Sequence, residues 1–201
     1  MKFIGITGGI GAGKSEILSY IKNHYKCEIY LADEVAHEVK KAGTKCFEKL
    51  VCLLGEDVVG TDGEINKAVM AEKIFNDASL LEKVNAIIHP AVKDFLLAKY
   101  HIANANGVVE LFFVEAALLI ETGYKAIVDE MWYVYAREEV RVNRLKSARG
   151  YSDEKIQLIM NNQLSEQEFR NSSDFVIDNS DSLQSSYEQI DKKLEAYTWQ
   201  E

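Results

Sequence analysis

Apolar residues along this chain form short continuous runs that alternate with stretches in which they recur at helical spacing. Short apolar runs rich in β-branched residues are typical of buried strands, and helical recurrence is typical of amphipathic helices. The runs predict five strands, at 2–7, 28–31, 108–114, 131–135 and 174–177. Because the strands alternate with helices, the pattern favours an α/β fold with a parallel sheet covered on both faces.

The helical stretches are punctuated by glycine, proline and polar turns. Pro90, the only proline, is expected to begin a new helix that runs to about Ala105, so that the helix before it ends at His89. Asn106 and Gly107 then mark a stop. The remaining helices are predicted at 16–22, 32–39, 46–54, 66–75, 80–88, 137–148, 153–163 and 181–197.

The segment between the first strand and the first helix, residues 8–15, reads G-x-x-x-x-G-K-S, which is the P-loop pattern. Glycines let successive backbone N–H groups point into one concavity, and the positive end of the following helix favours the same anion. Lys14 would reach the β- and γ-phosphates, and the Ser15 hydroxyl would ligate Mg²⁺. The alternative is a glycine-rich turn that binds nothing, but the flanking strand and helix favour a nucleotide-phosphate site.

Length, charge and cysteine content restrict the function classes further. The 201 residues suit one domain with a sizeable core, and the net charge of −9 argues against a nucleic-acid partner, which requires a basic surface. The three cysteines contain no C-x-x-C pair, so neither disulfides nor zinc is indicated, and a cytoplasmic location is expected. No signal peptide is evident, and two glutamates interrupt the longest apolar region, 108–120, so we expect no membrane span.

Two carboxylates follow predicted strands, at the sheet edge where ligands gather in parallel sheets. Asp33 follows the second strand and is interpreted either as a helix N-cap or as the base that accepts the proton of an acceptor hydroxyl during phosphoryl transfer. Glu115 ends the third strand and would either hold Mg²⁺ or a metal-bound water, or pair with a nearby base.

A basic cluster follows the fourth strand, and its first three members fall at i, i+4 and i+7 on one helix face. The cluster consists of Arg137, Arg141, Arg144, Lys146 and Arg149. One interpretation is a solvated face that Glu138 partly neutralises. In an acidic chain with a P-loop, the pattern better fits a movable arm, or lid, that brings guanidinium groups onto the transferring phosphates and excludes water.

In this order, the motifs resemble those of the dephospho-CoA kinase family, over most of the chain. Residues 5–15 are similar to the family's P-loop, and residues 32–39 to its D-A-D-x-I-A-R-E-V segment, which matches Asp33 to the family's catalytic aspartate. The other matching segments are 62–63, Glu82 with His89–Pro90, 115–121, 141–150 and 174–179.

The chain also departs from the family pattern. Glu16 stands where the family usually has Thr, so its side chain is expected to point away and leave only its backbone N–H for the α-phosphate. In the lid, Ala148 occupies the second Arg position, and Arg149 would substitute if the helix ends there, as Gly150 suggests. The other departures are His37 for Arg, Ala117 for Pro, Arg141 for Gln and Ile159 for Arg.

The resemblance implies a three-layer P-loop kinase fold, with a doubly wound, mainly parallel five-stranded sheet, a helical acceptor-binding insertion and a helical lid. All of 1–201 would form a single domain. Within it we expect the core at about 1–32, 107–136 and 171–201, the acceptor-side region at about 33–106 and the lid at about 137–170.

The resemblance further implies transfer of the ATP γ-phosphoryl group to the ribose 3′-hydroxyl of dephospho-CoA, giving CoA and ADP, with Mg²⁺ as cofactor. The implied catalytic residues are Asp33, Lys14 and Arg144. The implied ATP-binding residues are Gly11, Ala12, Gly13, Lys14, Ser15, Glu16, Arg144 and Arg149. The acceptor would contact Asp33, His89 and Leu118, and the metal Ser15 and Glu115. The expected partner is this small molecule, and the expected state is a monomer or weak homo-oligomer.

Two rival functions stay open at this point. One is another small-acceptor kinase on the same scaffold, such as a nucleoside or deoxynucleoside monophosphate kinase. The other is a nucleotide-binding regulatory protein without transfer activity. A GTPase switch is not indicated, because Asn66–Lys67 is followed by Ala68–Val69 and not by the x-Asp of a guanine-reading motif.

Overall fold

A five-stranded sheet organises the structure, a computed structural model that describes residues 1–75 and 77–197. The strands are β1 (Lys2–Thr7), β2 (Cys27–Leu31), β3 (Leu111–Glu115), β4 (Glu130–Tyr135) and β5 (Phe175–Asp178). Their order is β2-β3-β1-β4-β5, and β1 pairs in parallel with both β3 and β4, as β4 does with β5. The chain therefore winds outward in both directions from β1, and the predicted doubly wound α/β fold is confirmed.

The central strands are almost continuously apolar because both faces of a parallel sheet are covered. In β3, Leu111–Val114 are all buried. Trp132 of β4 is fully buried, and its ring meets Phe113 of β3 and Phe175 of β5 edge-on, at centroid distances of 5.8 Å and 5.1 Å. These three aromatic rings therefore pack together as part of the core beside the sheet.

The third strand begins later than its apolar run predicts. The run starts at Val108, but that side chain is 73% exposed and β3 starts at Leu111. Leu111 is the residue that pairs with Lys2, the first residue of β1. The strand therefore begins where its neighbour offers backbone partners, which apolar content alone does not reveal.

The helices agree with the predicted pattern in position, with two exceptions. In the described part of the chain they are α1 (Lys14–His24), α2 (Ala32–Glu38), α3 (Lys45–Leu54), α4 (Lys67–Phe75), α5 (Ala78–Asn106), α6 (Glu138–Arg149), α7 (Asp153–Asn161), α8 (Glu166–Ser172) and α9 (Leu183–Glu195). Short 3-10 turns lie at Glu56–Val58 and Tyr124–Ala126. None of these helices combines the length and apolar content of a membrane span.

The first exception is α5, because the predicted break at Pro90 is wrong. A single helix runs from Ala78 to Asn106, with Pro90 inside it and on its exposed side. Val84, Ile88, Val92 and Leu96 are buried at a constant spacing of four residues on both sides of the proline. This continuous buried stripe stabilises the helix more than one missing backbone hydrogen bond destabilises it.

The second exception is α8, which the sequence analysis missed. Ser165 accepts a hydrogen bond from the Glu168 backbone N–H, and the Glu168 carboxylate accepts one from the Ser165 backbone N–H. This reciprocal pair is a capping box, whose S-x-x-E spacing is legible in the sequence.

The chain divides into two compact units. One contains residues 1–29 and the described residues from Gly107 onward, and it holds the P-loop segment, most of the sheet and α6–α9. The other spans Tyr30–Asn106, where α5 packs against α2, α3 and α4.

Candidate active site

The P-loop connects β1 to α1 and leaves the amides at the start of α1 facing a cavity. Gly13 precedes the helix with φ 92°, a left-handed conformation that favours glycine, and no side chain caps the helix. A Cβ at Gly13 would also collide with the Asn179 amide nitrogen. The first amides of a helix have no partner inside it, so this turn can bind an anion.

Lys14 lies in this turn with its ammonium group turned toward the protein. Its Nζ donates a hydrogen bond to the Gly8 carbonyl at 2.7 Å and lies 3.6 Å from Glu115 Oε1. Burial lowers the pKa of Lys14, and the Glu115 carboxylate opposes that shift. The predicted phosphate-binding ammonium is therefore partly desolvated and already faces a negative group.

Glu115 and Ser15 offer oxygen ligands at the same cavity as Lys14. Glu115 ends β3 beside Ile6 of β1, and its predicted pairing with a base is observed as the contact with Lys14. Ser15 is exposed in the first turn of α1. Among the described residues no cluster of three acidic, His or Cys groups could hold a metal alone. One hydroxyl and one carboxylate fit Mg²⁺, which usually binds few protein ligands together with substrate phosphates.

Arg141, on α6, binds the outer edge of the P-loop. Its Nε donates to the Ile10 carbonyl at 2.9 Å, and its Nη2 donates to Gln163 Oε1 at 3.2 Å. The same Gln163 oxygen accepts the Ile10 backbone N–H at 3.0 Å. Both backbone polar groups of Ile10 are therefore held by side chains that come from far along the sequence. A Cβ at Gly9 would lie 2.5 Å from Arg141 Nη2, so a larger residue at this position would displace the Arg141 guanidinium.

Arg144 binds the loop one turn of α6 further on. It donates to the Ala12 carbonyl at 3.2 Å and to the Asn179 carbonyl at 2.9 Å. Asn179 is 1% exposed and donates its own amide to Ala12 at 2.8 Å, while Ser186 donates its hydroxyl to the Asn179 side-chain oxygen. Asn179 is a site residue that the sequence analysis did not single out, although it closes the matched segment 174–179.

The other basic residues of the cluster take different positions. Arg137 precedes α6 and pairs with Asp181 at 2.7 Å and Glu139 at 3.2 Å, so it does not reach the P-loop. Lys146 pairs with Asp153 at 2.6 Å. Arg149 is the last residue of α6, which ends at Gly150 in a left-handed conformation. The condition under which Arg149 would substitute for Ala148 is therefore met.

These groups surround one cavity of about 540 Å³. Its lining includes residues 9–16, Glu115, Arg144, Arg149 and Asn179. The structure thus brings the predicted ATP-binding and metal-binding residues together within a single unit. Leu118 belongs to the same unit, 52% exposed and outside this lining.

Asp33 and His89 belong to the Tyr30–Asn106 unit. Asp33 is exposed and is the second residue of α2; Leu31 occupies the N-cap position and no side chain caps the helix, so the N-cap interpretation of Asp33 is wrong. Its carbonyl hydrogen-bonds His37 Nδ1 at 2.6 Å, which leaves the carboxylate free to accept other bonds. His89 is half-buried in α5, where burial and then the Lys93 charge lower its pKa.

Comparisons with known proteins decide the family. The model of the family described as dephospho-CoA kinase matches residues 2–185. The chain belongs to the dephospho-CoA kinase family. Its resemblance in sequence is thereby confirmed, it is a kinase and hence a transferase, and the two rival functions are not favoured.

Relatives in this family match along almost their whole length. A protein named dephospho-CoA kinase from Carboxydothermus hydrogenoformans is 30% identical over 201 residues, covering 100% of this chain and 97% of the relative. One from Listeria monocytogenes is 33% identical over 190 residues, 94% of each chain. The solved structure of TT1252 from Thermus thermophilus is 28% identical with a TM-score of 0.80, covering 99% and 98% of the two chains.

More distant structures share the fold alone. Dephospho-CoA kinase from Campylobacter jejuni is 21% identical with a TM-score of 0.71, covering 96% of this chain and 95% of that one. Shikimate kinase from Acinetobacter baumannii is 11% identical with a TM-score of 0.52, covering 98% and 92%. The expected P-loop kinase fold is confirmed by these neighbours.

Proposed function

We propose that this chain transfers the γ-phosphoryl group of ATP to the 3′-hydroxyl of the ribose in dephospho-CoA, releasing CoA and ADP. The observation that carries the proposal is the cavity in which the P-loop, Lys14, Arg144 and Arg149 converge, in a chain of the dephospho-CoA kinase family. The acceptor is taken from the family, and the phosphate-binding chemistry from the residues themselves.

The P-loop binds the triphosphate through the amides of residues 11–16 and through Lys14. In this step the ammonium group exchanges the Gly8 carbonyl and Glu115 for the β- and γ-phosphate oxygens. Phosphates next to Lys14 also favour its charged form and so compensate the desolvation that lowers its pKa. Glu16 contributes its backbone N–H only.

Ser15 and Glu115 would hold Mg²⁺, which screens the negative charge of the phosphates when bound. Arg144 and Arg149 face the same cavity and offset the charge that develops as the γ-phosphoryl group moves. The helix that carries them would also exclude water, which otherwise competes with the acceptor hydroxyl.

Asp33 is the proposed base. Its carboxylate accepts the proton of the 3′-hydroxyl while the ribose oxygen forms a bond to the γ-phosphorus, and the bond from that phosphorus to the β-γ bridging oxygen breaks with its electron pair leaving on ADP. His89, whose pKa is lowered by burial, and Leu118 would contact the acceptor. The cytoplasmic location and the oligomeric state stay predictions.

The decisive experiment combines an acceptor panel with an Asp33→Asn variant. Wild-type protein with ATP and Mg²⁺ should release ADP with dephospho-CoA and not with nucleoside monophosphates. Asp33→Asn removes the proton acceptor but keeps the shape, so kcat should fall about 10²- to 10⁴-fold while the Kd for ATP stays unchanged. Glu34→Gln, which neutralises the neighbouring exposed carboxylate of α2, is the matched control. Near-normal turnover in Asp33→Asn would remove this residue from the base role.

A further inference from the structure

A second cavity, of about 270 Å³, lies entirely within the Tyr30–Asn106 unit. It forms where the end of α2 and the turn after it meet the turn before α4. Ile65 and Met70 provide its apolar wall. The turn that presents Ile65 is held by the Gly60 N–H, which donates to the Glu64 carbonyl at 2.8 Å, and by a bridge between Val59 and Ile65. The apolar wall is therefore preformed.

The polar rim of this cavity carries more positive than negative charge although the whole chain is acidic. Its charged and titratable side chains are His37, Lys40, Lys41, Lys67 and Glu64. Two of these charges are already used: Lys41 pairs with Glu38 at 2.8 Å, and the Glu64 carboxylate accepts the Ala42 N–H at 2.9 Å. The net excess of positive charge at the rim rests on Lys40 and Lys67.

Neither Lys40 nor Lys67 forms an ion pair among the described residues, although the Glu64 carboxylate lies at the same rim. Lys40 is half-buried, and burial followed by the charge of Lys67 lowers its pKa, so the two ammonium groups act on each other. Neither group has a carboxylate within ion-pair distance in the described part of the chain. Asn66 already caps the first amides of α4, at 3.0 Å and 3.2 Å, so the attraction for an anion comes from the side chains.

The cavity also has a direct connection to the proposed base. His37 lies at the rim, one helical turn after Asp33 on α2, and its ring binds the Asp33 carbonyl. One turn advances about 5.4 Å along the axis. A ligand whose hydroxyl meets Asp33 would thus extend its neighbouring groups toward Lys40 and Lys67.

We propose that Lys40 and Lys67 bind the 5′-diphosphate of dephospho-CoA, and that the pantetheine arm beyond it packs on Ile65 and Met70. This inference rests on the proposed function, because it assumes that the acceptor ribose is at Asp33. The chemistry matches the cavity: a dianionic diphosphate meets two unpaired ammonium groups, and a neutral, partly apolar chain meets an apolar wall.

The test compares Lys40→Met and Lys67→Met with wild type, and Lys49→Met, an exposed lysine of the same unit outside the cavity, as control. Loss of one charge-assisted contact should raise the KM for dephospho-CoA about 10- to 100-fold and leave the KM for ATP unchanged. Lys40→Arg should restore much of the affinity. Calorimetric titration with dephospho-CoA, with the P-loop filled by saturating ADP, should show the same ranking. Under the same conditions inorganic pyrophosphate should bind far more weakly, because it lacks the arm.

The outcomes separate this proposal from the proposed function. Wild-type-like KM values for dephospho-CoA in both lysine variants would overturn the assignment of the cavity. Pyrophosphate that binds as tightly as dephospho-CoA would show a general anion site and would also overturn it. If wild-type protein does not phosphorylate dephospho-CoA, the proposed function is wrong. If wild type and both variants also bind dephospho-CoA with equal affinity, the assignment of the cavity is wrong as well.

Discussion

Lys14 shows how one side chain balances burial against charge. Its ammonium group is desolvated beside the P-loop, and Glu115, 3.6 Å away, is the carboxylate that keeps the protonated form favourable. Since the charged form is the one proposed to bind phosphates, we expect the strength of the nucleotide site to depend on this neighbour. Glu115 would then affect nucleotide binding even without a metal ion.

Glu115→Gln should expose this dependence as a change with pH. Burial already places the Lys14 pKa below its ordinary value of 10.5, and without the carboxylate the pKa falls further. Lys14 should therefore lose its proton at a lower pH in the variant than in wild type. When the pH is raised through the alkaline range, the affinity for ADP, measured by calorimetry in EDTA, should fall at a lower pH in Glu115→Gln than in wild type. Glu16→Gln removes an exposed charge from the first turn of α1, where Lys14 also lies, and is the control. It should leave unchanged the alkaline pH at which ADP affinity is lost. If wild type and Glu115→Gln lose ADP affinity at the same alkaline pH, Glu115 does not control the protonation of Lys14.

At the scale of elements, α5 shows that a continuous buried stripe can carry a helix through a proline. The buried residues Val84, Ile88, Val92 and Leu96 keep the same face on both sides of Pro90. A proline in a helix interior lacks the N–H for one backbone bond and clashes with the preceding turn. Pro90 therefore destabilises the helix locally, and the packing of the buried stripe compensates for this loss.

Replacing this proline should make the protein more stable. Pro90 is exposed, so Pro90→Ala loses no packing. It restores one backbone hydrogen bond of the helix, which raises the free energy of unfolding by at most about 3 kcal/mol. The unfolded chain also gains conformational freedom, which lowers the free energy of unfolding by about 0.4–1 kcal/mol. Urea unfolding should show a gain of about 2 kcal/mol. Asp94→Ala, at another exposed position of α5, should change stability by less than about 0.5 kcal/mol. A lower stability of Pro90→Ala would mean that the native helix needs the proline geometry.

The sequence predicts the local structure of the candidate nucleotide site where its residues are contiguous. The P-loop, Lys14 and Ser15 lie in one strand-loop-helix segment, so their local pattern fixes both structure and chemistry. Arg144 follows from helical spacing. Gln163 and Asn179 could not be found in this way, because they reach Ile10 and Ala12 across 153 and 167 residues. Such contacts depend on how distant elements pack, and the only local signal was the matched segment that ends in Asn179.

At the scale of the whole molecule, the two units hold different parts of the proposed chemistry. The nucleotide cavity belongs to the unit that contains most of the sheet, and Asp33, His89 and the cationic cavity belong to the Tyr30–Asn106 unit. The chain carries a net charge of −9, but each unit contains a basic region beside its cavity. Each region suits one anionic substrate.

Amide hydrogen exchange should show whether the two ligands bind to different units. ADP at about 100 times its Kd should slow exchange in residues 9–16 by up to about 100-fold and leave residues 37–41 unaffected. Dephospho-CoA alone should instead protect residues 37–41 and 60–70. Calorimetry on the same samples gives the occupancy of each ligand. Protection of 9–16 by dephospho-CoA alone would contradict the assignment of separate sites.

The hydrogen bonds from Arg141 and Arg144 to the carbonyls of Ile10 and Ala12 have a consequence for turnover. They connect α6, the helix proposed to exclude water, directly to the loop proposed to bind the nucleotide. A displacement of α6 would break these hydrogen bonds and loosen the loop. We therefore expect the departure of ADP and the entry of solvent to occur together.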